Sequence, residues 1–357
     1  MKILFSNFFI WISIAHYSRI VNGYCNSQCI CRNRRSVFCD GPKFTSIPRN
    51  FSRELRTLVI KDGKLSKLQA SDFAPYRKLK ELSLNGNKIR EISKNTFSTL
   101  TELRTLNLIG NELTAVDTGA FANMQISKSH GLKLSLEFNK IEKIETGAFE
   151  NSRNFDTINL RNNPLSHIHS RAFTNLSKVR YIRLHGVRRI EENAFYHLTQ
   201  VYGVHLQHLR SEKEGIAKGA FRGMKHIRTV EISKSDLGTI HPHAFEEMEA
   251  VKTLHIVDSQ IGRLESKSFA GINYVSSIKI SHNSIQELEE GFFSGIDSNA
   301  VVIFIFDHNR LNCSCENLWF NLDRSFKKYP EIPRNNECFW PENLRDRKWN
   351  VTVVVVA

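Results

Sequence analysis

Residues 79–100 read LKELSLNGNKIREISKNTFSTL, which is Leu79-x-x-Leu82-x-Leu84-x-x-Asn87-x-Ile89-x-x-Ile92-x4-Phe97-x-x-Leu100. The same spacing returns as Leu103, Leu106, Leu108, Asn111, Leu113, Val116, Phe121 and Met124. It recurs from Gly131 with Leu134, Leu136, Asn139, Ile141, Ile144 and Phe149. From Phe155 it gives Ile158, Leu160, Asn163, Leu165, Ile168 and Phe173. Further copies start at Leu55, Val179, Val201, Ile227, Val251, Val275 and Val301, eleven in all. Most starts lie 24 residues apart. The longer or shorter steps, at 103 to 131, 179 to 201, 201 to 227 and 275 to 301, belong in loops, where a repeat array absorbs length changes.

The residue types explain the pattern. L-x-x-L-x-L alternates with period two, so each copy begins as a strand with its apolar side chains on one face. Neighbouring copies hydrogen-bond into one parallel sheet along an inner wall. The Asn at the ninth position supplies donors and an acceptor where the chain turns out of the sheet. Phe73, Phe97, Phe121, Phe149, Phe173, Phe195, Phe221, Phe245, Phe269 and Phe293 recur at the outer side and predict an aromatic spine. One copy cannot bury such a face, so stability comes from its neighbours. The Asn position holds Gly63, Val187, Leu209, Ser235 and Ser259 in other copies, and the sheet is expected to be least regular from Val179 to Leu209.

All seven cysteines lie in two terminal groups: Cys25, Cys29, Cys31 and Cys39, then Cys313, Cys315 and Cys338. Clustering at the edges of a repeat array reads as disulfide caps in an oxidising compartment. Zinc is the rival reading of Cys29-x-Cys31, although the group lacks the usual C-x-x-C pairs. Lys2 followed by the apolar run Ile3 to Ile14, with small residues near Gly23, reads as a secretory signal over residues 1–23. Sequons at Asn50, Asn175, Asn312 and Asn350 are candidate glycosylation sites and agree with secretion. The closing Val351 to Val356 is too short to span a bilayer, so no membrane anchor is read in this sequence.

The sequence carries no P-loop, dinucleotide glycine motif, G-x-S-x-G or H-E-x-x-H, which argues against an enzyme and implies no cofactor. Function is expected on the residues between the inward leucines, which face the hollow of the solenoid. Arg161, Tyr181, Arg183, His185, His205, Gln207 and His255 make the richest Arg, His and Tyr segment, and Arg and Tyr dominate interface hot spots. The competing reading is a ladder in which Arg183, His205, Glu231, His255 and Lys279 neutralise one another across strands. A metal site at His185, His205 and His208 is the weakest reading, because a flat sheet offers few groups to orient the ligands. The formal net charge is +14. From Cys25 to Arg56 seven basic residues face two acidic ones, a net of 7 − 2 = +5 that includes Arg32, Arg34 and Arg35. An acidic surface such as sulfated glycosaminoglycan is the partner this suggests; nucleic acid does not suit a secreted protein.

The chain resembles the extracellular leucine-rich-repeat superfamily with typical 24-residue repeats, in the manner of Slit-like proteins and receptor ectodomains. Beyond the repeats, the resemblance rests on Cys25-x3-Cys29-x-Cys31-x7-Cys39 followed by Thr45-Ser46-Ile47-Pro48. It rests also on Asn309-x-Leu311-Asn312-Cys313-Ser314-Cys315 and on Cys338-Phe339-Trp340-Pro341. It implies an α/β solenoid: a horseshoe with a parallel concave β-sheet, an irregular convex side and disulfide caps. It divides the chain into a signal peptide (1–23), an N-terminal cap (24–54), eleven repeats (55–311) and a C-terminal cap (312–357). It implies pairing of Cys25 with Cys31, Cys29 with Cys39 and Cys313 with Cys338. The family's fourth C-terminal cysteine is missing, so Cys315 is expected to be unpaired. The implied function is recognition of an extracellular protein ligand on the concave face, by a secreted or cell-surface protein. The alternative is a matrix protein that binds glycosaminoglycan.

Overall fold

A computed structural model describes residues 25, 28–211, 213–297, 300–312 and 336–340. The predicted signal, Cys313, Cys315 and Asn350 lie outside the described residues. Among the described residues thirteen strands form one sheet along the concave wall. It opens with an antiparallel hairpin, Cys29–Arg32 against Ser36–Asp40, whose second strand runs parallel to Thr57–Lys61. Every later pairing in this sheet is parallel, ending with Val301–Asp307.

The period-two reading accounts for the core. Leu82, Leu84, Leu106, Leu108, Ile158 and Leu160 point inward and are fully buried, as are their equivalents along the array. The spine forms as well. Phe149 stacks between Phe121 and Phe173 at centroid distances of 5.4 and 5.2 Å. At the far end Phe293 continues the stack on Phe269 at 5.1 Å, while its neighbour Phe292 is the more deeply buried of the two. The convex side consists of turns and two- to five-residue strands in sheets of two, four and five. Among the described residues its α component is a single turn, Ala70–Phe73, closed by a Gln69–Asp72 capping box. The regular secondary structure among the described residues is thus nearly all β, and the remainder is turns.

The asparagine ladder works as expected. Asn139 Nδ2 donates to the carbonyls of Leu108 and Leu136 at 2.9 and 3.0 Å, and its Oδ1 accepts the Leu113 N–H at 3.2 Å. One side chain therefore satisfies three buried backbone groups on two adjacent turns. Ser235 and Ser259 substitute with their hydroxyls, which accept the N–H groups of Leu209 and Ser235. Asn336 carries the ladder beyond the repeats by accepting the Asn309 N–H at 2.9 Å.

The expected irregularity lies elsewhere. Ser177–His185, Thr199–Gln207 and Lys225–Ser233 are nine-residue strands in unbroken register. Val187 and Leu209 are buried and fill the ladder position with apolar volume. Strand register depends on Val179, Ile182 and Leu184, and on Val201, Val204 and Leu206, so the ninth position does not disturb it. The register instead shifts between Phe155 and Thr157, opposite Leu132–Ser135. There Leu132, fully buried, fills the first inward slot that the repeat spacing assigns to Gly131. That copy is one residue short at its start, and the neighbouring strand bulges to match.

Both N-terminal disulfides are formed, Cys25–Cys31 and Cys29–Cys39. With these four thiols paired to one another, the zinc reading of Cys29-x-Cys31 is overturned. Cys338 is also disulfide-bonded. Asn50 and Asn175 are exposed and Asn312 is half-buried.

Candidate binding face

The middle of the concave sheet gathers most of the polar side chains singled out from the sequence. Tyr181, Arg183 and His185 alternate along Ser177–His185; His205 and Gln207 do so on the next strand. Parallel pairing sets Tyr181 beside Gly203, Arg183 beside His205 and His185 beside Gln207. All five polar side chains are half-buried. Gly203 has a specific purpose. A Cβ there would come within 2.6 Å of His205 Nε2 and 3.0 Å of Tyr181 Cδ1. Its absence lets the two rings close over the backbone, with centroids 5.6 Å apart. The Arg183 guanidinium sits 5.2 Å from the Tyr181 ring centre, within cation–π range. Arg161 Nη2 donates to Gln207 Oε1 at 2.9 Å, reaching across the intervening strand.

Charge on the face is partly compensated. His205 Nδ1 lies 3.5 Å from Glu231 Oε2, and the Ser233 hydroxyl donates to the same carboxylate. The hydrogen bond from His205 is the main reason the Glu231 carboxyl is held below its usual range. Glu231 is in register with His255, and His255 with Lys279. Burial, followed by Lys279, makes His255 harder to protonate, although Glu231 opposes this. Burial does the same to His185, reinforced by His208, Arg161 and Arg210. The ladder reading therefore holds for Glu231 and its neighbours. The Tyr181–Arg183 pair stands outside it.

His185 and His208 approach with ring centroids 4.7 Å apart, but His205 is engaged with Glu231. The three histidines do not form a common ligand cluster. Arg32, Arg34 and Arg35 lie on and beside the 3₁₀ turn Asn33–Arg35 at the tip of the cap hairpin, at the first end of the sheet. All three are exposed, and they form a feature separate from the concave cluster.

The structure adds residues that the sequence reading passed over. Tyr202 is 44% exposed and meets Tyr181 edge-on at 5.3 Å, with the Arg228 guanidinium 4.9 Å above its own ring. With Lys128, His130, Lys178, Arg180 and Arg228 it lines a groove of about 500 Å³ at the entry end of these strands. A second groove of about 570 Å³ lies at the exit end, lined by His185, His208, Arg210, Lys234, Asp236 and Asp258. The aromatic–arginine cluster sits between two polar hollows.

The family described as "Leucine rich repeat" matches residues 53–113 and 133–186. The family described as "BspA type Leucine rich repeat region (6 copies)" matches residues 207–312. This chain is a leucine-rich-repeat protein. Among solved structures, it is similar to a chain of the octameric complex of latrophilin 3 (Lec, Olf), Unc5D (Ig, Ig2, TSP1) and FLRT2 (LRR). That likeness has 20% identity and a TM-score of 0.51, covering 92% of this chain and 99% of the other. A second similar structure is human 5T4 (Wnt-activated inhibitory factor 1, trophoblast glycoprotein), with 16% identity and a TM-score of 0.38 over 93% and 97% of the two chains. No curated protein matches the sequence. Among the described residues no helix is long and apolar enough to cross a membrane.

Proposed function

We propose that the protein is an extracellular binding module, secreted or displayed at a cell surface, that recognises a protein ligand on its concave face. One observation carries this reading. Tyr181, Tyr202, Arg183 and Arg228 form a contiguous aromatic–guanidinium cluster on adjoining strands, and Gly203 makes room for it. Large rings and guanidinium groups held rigid lose little entropy on binding, which is why they anchor interfaces. The two N-terminal disulfides favour an oxidising compartment. FLRT2, an LRR protein, stands in a complex with latrophilin 3 and Unc5D, which makes a protein ligand the natural class to test.

The test is pull-down of surface and secreted proteins, followed by affinity measurement on the partner recovered. Replacing Tyr181, Arg183, His185 and His205 by Ala is expected to weaken binding by 2 kcal/mol or more, about 30-fold, at unchanged melting temperature. Gly203→Ala is expected to weaken it as well, by pushing the Tyr181 and His205 rings apart. Convex replacements Lys218→Ala and Arg222→Ala serve as controls. Binding lost with the convex pair and kept with the concave set sinks the assignment. Unperturbed imidazoles would place a pH effect between about 7.5 and 5.5. Burial shifts it lower, because His185 and His255 stay neutral until the pH falls below about 6.5, the ordinary histidine value. The sign for stability follows: the unfolded chain takes protons first, so these two residues destabilise the fold as pH falls through that value.

A second reading is favoured by the exposed Arg32, Arg34 and Arg35 on one short turn. Such a tip suits sulfated glycosaminoglycan. Changing the three to Ser is expected to lower the salt needed for elution from heparin, since fewer counterions are released. An unchanged elution position removes the cap from consideration.

A further inference from the structure

The convex arc carries a different chemistry. Register in its four-stranded sheet pairs Ile144, Ile168 and Ile190, so the residues that follow them, Glu145, His169 and Glu191, stand on three successive turns. His167, one strand position before Ile168, completes the group. His167 Nε2 lies 2.9 Å from Glu191 Oε1, and His169 Nδ1 lies 3.4 Å from the same oxygen. The donor atoms of His167, His169 and Glu191 all fall within 4.8 Å of one another, the one such group among the described residues.

We propose that His167, His169 and Glu191 form a site for a divalent ion of the zinc type, with Glu145 as the residue that orients His169. Zinc sits about 2.0–2.2 Å from imidazole nitrogen and carboxylate oxygen, so tetrahedral donors lie roughly 3.3 Å apart. The two donor separations bracket that spacing. Two imidazoles with one carboxylate are a ligand set of catalytic and open zinc sites, in which water or a partner's side chain completes the shell. Structural groups around the donors support them too. His169 Nε2, the nitrogen not aimed at Glu191, lies 3.6 Å from Glu145 Oε2, the carboxylate–histidine arrangement that fixes ring and tautomer. Glu191 Oε2 accepts the Ser170 N–H at 2.8 Å, which leaves Oε1 to face the histidines. The two imidazole rings stack at 4.3 Å, 11° from parallel, so one ring turns about its Cβ–Cγ bond for both in-plane lone pairs to meet on one ion. The donor side chains are 27–29% exposed, enough for an ion to enter and little enough to restrict the rings. Of His185, His205 and His208 on the concave face, a carboxylate meets His205 alone, and the three do not converge. An ion here would tie turns 143–191 together across the outer arc.

The experiment is calorimetric titration of the metal-stripped protein with zinc chloride at pH 7.5. One equivalent is expected to bind. His167→Ala/His169→Ala and, separately, Glu191→Gln are expected to weaken uptake by at least about 100-fold and 10-fold; Glu145→Gln, acting through His169, by about 10-fold. His282→Ala/His308→Ala, a stacked pair near the far end of the solenoid, is expected to leave zinc uptake unchanged. Circular dichroism melting checks that each variant is folded, and His167→Gln/His169→Gln replaces the alanine pair should that one unfold. Cobalt(II) in place of zinc is expected to give visible bands of tetrahedral intensity that the paired histidine variant lacks. No uptake by the folded wild type at about 100-fold excess zinc, or equal uptake by the folded histidine variant, overturns the site. An unaltered affinity in Glu145→Gln overturns the orienting role of that carboxylate.

Discussion

Phe149→Ala is expected to lower the free energy of unfolding by about 3–5 kcal/mol, the range for removing a buried aromatic ring. Phe149 is fully buried, and its ring faces Phe121 on one side and Phe173 on the other, within 13° of parallel in both cases. Truncation removes two stacking contacts together with the transfer term, and leaves a void that the turns cannot close. Collapse is resisted because the backbone on either side is tied by Phe149 N–H to Ala172 O and by Phe121 N–H to Ala148 O. In a solenoid each turn is stabilised by its neighbours, so a weak turn in the middle also uncouples the two halves. Urea unfolding followed by circular dichroism reads the effect as a lower midpoint, with a shallower slope should the halves part company. Phe149→Leu, which keeps much of the volume, is expected to lose less than half as much. A loss under about 1 kcal/mol for the alanine variant would mean that the spine is not what holds the outer arc.

What could be read from the sequence was whatever repeats. The inward Leu, Ile and Val positions, the Asn ladder and the Phe spine recur because each turn must match the next in volume and hydrogen bonding. Their burial follows from the register alone. Departures from the repeat were harder to read. Gly131 occupies a leucine position in the pattern, yet the adjacent Leu132 takes the slot, because a strand can slip one residue at its start when a bulge next door absorbs the shift. Val187 and Leu209 were read as defects in the ladder, whereas apolar volume there is tolerated well. Tyr202 was missed because its position, just after the first inward residue, holds Lys80, Arg104, Arg180, Arg228 and Lys252 in other copies and looks like ordinary solvated flank. An aromatic residue in a column of basic ones was the available signal. The convex cluster was missed for a related reason. His167, His169 and Glu191 are 22 to 24 residues apart across the turn boundary, and only aligning the columns after Ile144, Ile168 and Ile190 brings them side by side.

The end of the solenoid gives the other large effect. Cys29→Ser/Cys39→Ser is expected to destabilise the N-terminal end by about 2–5 kcal/mol and to produce aggregates on secretion. Cys29 and Cys39 are direct partners across the antiparallel cap hairpin, and the second strand of that hairpin covers Thr57–Lys61. Cys39 and Val37 are buried against Leu58 and Ile60, the inward residues of the first repeat strand. Without the crosslink the hairpin has four paired residues on each side and few other ties, so it opens readily. Opening exposes the unpaired edge of Thr57–Lys61 together with Leu58 and Ile60, a flat parallel edge that invites pairing with another copy. The Cys25–Cys31 bridge closes a shorter loop, a sequence separation of 6 against 10, and begins outside the hairpin. Cys25→Ser/Cys31→Ser should therefore be the milder variant. Secreted yield, gel filtration and thermal melting of the two double variants measure the difference directly. A Cys29→Ser/Cys39→Ser protein that is secreted at normal yield, runs as a monomer and melts with the parent would show that packing of Val37 and Phe44 closes the end without the bridge.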